Sequence, residues 1–177
     1  MGMKDNDSEE DDSWYESVFR TLYGDLKGED RVRALWLGGT LFFIVGGYWL
    51  LRSLKDPVMA TICGVEYIPK AKMVSLVVVT ACVTVYNKLI DMFPTHQLFY
   101  LVGGFYFVAF SAIALALTHP TIGIDNTDAS PSRLLGWISY CTIESFGSIG
   151  VSLFWAFCNY AMDLEQAKSA FGLIVAG

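Results

Sequence analysis

The run Ala34-Leu35-Trp36-Leu37-Gly38-Gly39-Thr40-Leu41-Phe42-Phe43-Ile44-Val45-Gly46-Gly47-Tyr48-Trp49-Leu50-Leu51 carries no charge, and Arg52-Ser53-Leu54-Lys55-Asp56-Pro57 follows it at once. A hydrocarbon slab about 30 Å thick needs roughly 20 helical residues, so a helix begun near Ala34 crosses most of a bilayer and carries Arg52 and Lys55 into the far leaflet or just beyond. On that helix Arg52, Lys55 and Asp56 share one face. Spaced i and i+4, Arg52 and Asp56 are placed to pair with each other, which leaves the Lys55 ammonium in need of a partner or a ligand. Pro57 has no N–H for the helix ladder and predicts a bend that frees backbone carbonyls near that ammonium. Ionisable groups at such depth mark functional sites, because hydrocarbon penalises them unless something recovers the cost.

Working outward, the whole chain has the composition of a multi-span membrane protein: 54% apolar residues, 17% charged, and several uncharged runs near span length. The predicted architecture is an all-α polytopic bundle with spans near 34–56, 73–89, 98–117 and 134–162. A polar stretch rich in Asp, Asn, Ser and Pro, from Thr121 to Arg133, reads as an aqueous connection. Lys70 and Lys72 precede the second span, and Lys88 near its far end is placed to snorkel outward. His96 and His119 flank the third span as interfacial residues. The doublets Gly38-Gly39, Gly46-Gly47 and Gly103-Gly104 look like sites of close helix approach.

The net charge of −6 comes largely from an acidic tract at 1–12, which has nothing to bury and reads as a solvated, disordered tail. Ser13-Trp14-Tyr15-Glu16 fits a capping box, and an aromatic stripe through 13–26 predicts an amphipathic helix in the headgroup region. At the other end, 169–177 begins a further apolar run that is too short to span, which predicts the N-terminal piece of a longer protein. Nucleic acid is unsupported as a partner. Cys63, Cys82, Cys141 and Cys158 lack metal-ligand spacing and read as small core residues, and neither a metal nor a cofactor is expected. No Walker A pattern, HExxH, nucleophile elbow or paired carboxylates give enzyme chemistry a foothold.

The fourth run holds a single ionisable residue, Glu144, with Tyr140, Cys141, Gly147 and Ser148 as its neighbours on the same helical face. An ionised group at a helix centre costs about 2.5–3.5 kcal/mol on insertion scales, so a cation in one span and an anion in another call for compensation. Two arrangements supply it. Lys55 and Glu144 pair across spans for packing alone, or they line a wet cavity where an anionic solute held by Lys55 and Arg52 replaces one partner.

Three stretches carry a family resemblance. Leu51-Arg52-Ser53-Leu54-Lys55-Asp56, Gly64-Val65-Glu66-Tyr67-Ile68-Pro69-Lys70, and Ile143-Glu144-Ser145-Phe146-Gly147-Ser148 followed by Ser152 to Asn159 and Glu165-Gln166-Ala167-Lys168, resemble the TLC-type ATP/ADP translocases of plastid envelopes and obligate intracellular bacteria. That resemblance covers the chain from about residue 31 and implies the N-terminal portion of a major-facilitator-like fold of roughly twelve helices. It also implies exchange of ATP for ADP across a plastid or other organelle membrane rather than the plasma membrane, with Lys55 and Glu144 at charged positions used for transport. A non-transporting four-span subunit or scaffold is the rival reading, in which the charges serve only to join helices.

Overall fold

The computed structural model describes residues 28–161. The acidic tail, the amphipathic helix at 13–26 and the stub at 169–177 lie outside the described residues. Four long helices account for nearly all of the rest: α1 (Gly28–Ile62), α2 (Ile68–Met92), α3 (Thr95–Leu117) and α4 (Leu134–Ala161), with a single 3-10 turn at Val65–Tyr67. All four are long and apolar enough to cross a membrane, so the chain is an all-α, multi-pass membrane protein.

The helix ends follow from local chemistry. Gly64 takes φ 111, a left-handed geometry closed to most side chains, and its N–H reaches back to the Met59 and Ala60 carbonyls at 3.3 and 3.1 Å to close α1. Pro69 then occupies the first turn of α2, where no N–H is needed. An extended Phe93 ends α2, and Pro94, whose carbonyl accepts from Gln97 and Leu98, opens α3. Pro57 does not interrupt α1, which continues to Ile62. The Ser53 hydroxyl donates to the Trp49 carbonyl at 2.9 Å and the Thr61 hydroxyl to the Pro57 carbonyl at 3.0 Å, reinforcing both sides of the missing donor.

By its contacts the chain divides into two units, 1–42 with 161–177, and 43–160. In the described part of the first, Leu37 is buried and Arg33 donates to the Ala161 carbonyl at 3.3 Å. The second holds two apolar clusters. One joins α2, α3 and α4 through Tyr86, Leu98, Val102, Tyr106, Ile149 and Leu153. The other joins the end of α1 and the start of α2 to α4 through Met59, Ile62, Cys63, Ala71 and Tyr140.

The connection from Thr118 to Arg133 is fastened by one guanidinium. Arg133 donates to the carbonyls of Asn126 (3.0 Å), Asp128 (3.1 Å), Ile122 (3.0 Å), Ile62 (3.4 Å) and Gly123, which ties the loop to itself and to the end of α1. The Ser130 N–H adds a bond to the Ile62 carbonyl at 3.0 Å. Cys63 lies in the same corner, its thiol donating to the Arg133 carbonyl at 3.4 Å. Burial pushes that thiol up from its ordinary range against the opposing Arg133 charge, so it stays a neutral packing group.

Close helix approach falls at glycines other than the doublets. A Cβ at Gly39, Gly46, Gly47, Gly103 or Gly104 would meet nothing within 4 Å, whereas one at Gly136 would strike the Cys63 sulfur and one at Gly147 would overlap the Tyr48 ring. Those five doublet positions face open space, whereas Gly38 is buried. Gly136 and Gly147 of α4 sit where α1 crosses it.

Gly147→Ala is therefore expected to displace the Tyr48 ring and lower the stability of the chain in detergent by about 1–3 kcal/mol. Gly104→Ala has open space and should leave stability unchanged or slightly higher, because alanine is the better helix former. Thermal unfolding of the two variants side by side checks this; equal losses would show that the α1–α4 crossing does not depend on Gly147.

Candidate functional site

Helices α1 and α4 pair in opposite directions. Tyr48 lies against Gly147, Lys55 against Glu144, and Met59 and Cys63 against Gly136, so positions rise along one helix as they fall along the other. The register sets the depth of the charges. Lys55 stands seven residues before the end of α1 and Glu144 ten residues after the start of α4. At 1.5 Å per residue that places both about 10–15 Å inside the helical layer from the end closed by the Arg133 loop.

At that depth Lys55 and Glu144 form an ion pair, with side-chain exposures of 8% and 26%. The Lys55 ammonium also lies 4.7 Å from the centre of the Tyr140 ring, and Tyr140 is fully buried. A cation held by a carboxylate on one side and an aromatic face on the other is partly repaid for leaving water. Glu144 keeps one side open, toward a cleft.

The cleft has a volume of about 480 Å³, within the roughly 300–1,000 Å³ common for small-molecule sites. Arg52, Lys55 and Asp56 come to it from α1 and Glu144 and Ser148 from α4. Its third wall is α2, through Lys72 and Ser75 at one level and Leu76 and Val79 further along. The structure thus brings the three sequence-predicted site residues, Lys55, Glu144 and Arg52, to one cavity.

Arg52 and Asp56 do not pair as their spacing predicted. Arg52 turns back along α1, donates to the Tyr48 hydroxyl at 2.8 Å and lies 5.5 Å from the Trp49 ring centre, while one buried oxygen of Asp56 has no donor. Helical side chains lean toward the N-terminus, so a residue reaches its i−4 neighbour more easily than its i+4 neighbour, and a cation four residues before an anion is the weaker order of the pair. Both groups consequently stay available to the cleft.

Sequence reasoning missed Lys72, Ser75 and Tyr48. Lys72 and Ser75 are three residues apart and share a helix face, a usable signal, but the lysine's place before the apolar run made it look like a membrane-edge residue. Tyr48 gave no signal inside its uncharged run. Among the described residues, no group of three His, Cys, Asp or Glu side chains could hold a metal.

Four span-length helices with an ion pair and a polar cleft inside the layer define a polytopic membrane protein with charged side chains gathered in its interior. The family model for the TLC ATP/ADP transporter matches residues 16–177, and the chain belongs to that family. It is similar to ADP,ATP carrier protein 1 of Rickettsia bellii, 28% identical over 90% of this chain and 36% of the relative. The plastidic ATP/ADP-transporter of Solanum tuberosum is 32% identical over 80% of the chain and 26% of the relative, and the chloroplastic ADP,ATP carrier protein 2 of Arabidopsis thaliana is 29% identical over the same shares. The chain thus spans between about a quarter and a third of the length of these relatives. No solved structure matches it.

The pair predicts a thermodynamic signature. Lys55→Gln and Glu144→Gln each leave an uncompensated charge in the layer and should each cost about 3–5 kcal/mol, whereas the double variant should lose far less than the sum. Unfolding in detergent across the four-member cycle measures this. Simple additivity would show that the two residues do not depend on each other.

Proposed function

We propose that the chain is the N-terminal portion of an antiporter that exchanges ATP for ADP across a plastid envelope or a comparable organelle or bacterial membrane. Lys55 contacts phosphate, Arg52 adds a second cation at the mouth of the site, and Glu144 is the counter-charge that holds Lys55 when substrate is away. One observation carries the reading: the Lys55–Glu144 pair lies inside the helical layer yet opens onto a polar cleft. A pair serving only to join helices gains from being sealed, since wall groups that face water contribute little to packing. Membership in the TLC ATP/ADP transporter family and the carrier names of the relatives support the choice of solute.

The chemistry suits a nucleotide polyphosphate. Lys presents a compact charge and Arg a planar fork, both matched to phosphate oxygens, and the nearby apolar surface of Leu76 and Val79 suits the face of a base. As phosphate approaches, Lys55 exchanges one anion for another, so its charge is never left bare. Glu144 then faces the polar groups of Ser148 and the cleft.

In the full-length protein reconstituted in proteoliposomes, Lys55→Gln should reduce counter-exchange of labelled ATP and ADP by at least about 30-fold, the loss that follows removal of one partner of a buried charged contact. The double variant Lys55→Gln with Glu144→Gln should be stable and equally inactive. Exchange at the wild-type rate in that stable double variant would return the pair to a purely structural role.

A further inference from the structure

We infer that Lys72 is a third substrate cation, the one that senses the terminal phosphate and so distinguishes nucleotides by their phosphate number. This rests on the nucleotide reading above and adds a specificity-determining residue to it. Lys72 enters the cleft from α2, whereas Arg52 and Lys55 enter from α1, so the cations stand on separate walls. It stands four residues after the start of α2 and shares the cleft with Lys55 and Glu144. A lysine whose only task was to reach the membrane edge would have no reason to share a polar cleft with an ion pair.

Its partners, or their lack, point the same way. Among the described residues Lys55 is paired with Glu144, Arg52 is bonded to the Tyr48 hydroxyl, and no carboxylate pairs with Lys72. The cleft therefore holds Arg52, Lys55 and Lys72 against Asp56 and Glu144, a surplus of one positive charge. Ser75, one turn further along α2 and also lining the cleft, donates its hydroxyl to the Lys72 carbonyl at 2.9 Å and ties the two wall positions together. A solute with a chain of phosphates bridges the two walls. One with a single phosphate engages α1 alone.

Lys70, two residues away, supplies the contrast. Its ammonium lies 4.9 Å from the centre of the Tyr67 ring, and it does not line the cleft. A general attraction between a basic membrane edge and an anionic solute would treat the two lysines alike, whereas a contact inside the cleft singles out Lys72.

The test uses the full-length protein in proteoliposomes, with exchange kinetics for ATP, ADP and AMP at two salt concentrations. Lys72→Gln should raise the KM for ATP about tenfold, raise that for ADP less, leave AMP competition unchanged, and flatten the salt dependence, with little change in the maximal rate. Lys72→Arg should restore the ATP preference, and Lys70→Gln should behave as wild type. Equal shifts for Lys70→Gln and Lys72→Gln, or an unchanged KM ratio in Lys72→Gln while Lys55→Gln abolishes exchange, would overturn the role of Lys72 and leave the nucleotide site standing. Failure of the wild-type protein to exchange any nucleotide would overturn both.

Discussion

A lysine and a glutamate drawn together in a low-dielectric layer set the terms for the rest of this structure. Apart, each charge is a liability in hydrocarbon of a size that matters beside the net stability of a domain. Together they attract strongly, because water screens them little, and the attraction fixes which residue of α1 stands opposite which residue of α4. The antiparallel register, the seat of the Tyr48 ring over Gly147 and the approach of Cys63 to Gly136 are all compatible with that one alignment. A slip of one residue would turn the lysine about 100° around its helix and away from its partner.

Two features keep the alignment in place without touching the pair. At one end Arg133 donates to backbone carbonyls rather than to a carboxylate, which fastens the 118–133 connection to the end of α1 without drawing on the carboxylates of the cleft. Lower in the layer, aromatic rings of α3 and α4 interlock: Tyr106, Phe110 and Phe146 stand within 6.0 Å of one another by ring centres, and the Tyr106 hydroxyl bonds Ser145 at 3.1 Å. That face of α4 is packed against α3, and the opposite face carries Glu144 and Ser148 toward the cleft. Holding a charged side chain on a stiff helix limits the entropy lost when a ligand meets it.

The parts of this arrangement legible in the sequence are those that depend on one helix at a time. Apolar runs of span length announce α1, α3 and α4, and the misplaced charges Lys55 and Glu144 announce themselves against them. Relations between helices are not written so plainly. The depth of Lys72 depends on where α2 begins, which Gly64 and the turn at Val65–Tyr67 set earlier than the apolar run implied. The Arg52–Tyr48 bond depends on the lean of helical side chains, a rule that spacing alone conceals. Glycine doublets look like contact sites in the sequence, yet the glycines at the α1–α4 crossing are the single Gly136 and Gly147, whose importance arises from the sulfur and the ring on the neighbouring helix.

In the proposed exchange the pair also limits how tightly a nucleotide can be held. A solute that engages Lys55 must displace Glu144, and the gain is the difference between two charged contacts rather than the whole of one. Moderate affinity suits a carrier, since a site that binds a polyanion with every available cation at full strength would release it slowly. The unpaired cations of the cleft, Arg52 and Lys72, are the more exposed ones, so their pull is screened and acts mainly on capture and discrimination. The buried cation is self-neutralised between substrates. Such a division lets the cleft attract a multiply charged solute while its buried cation stays compensated when the cleft is empty, and it follows from where the helices place their basic residues rather than from how many they carry.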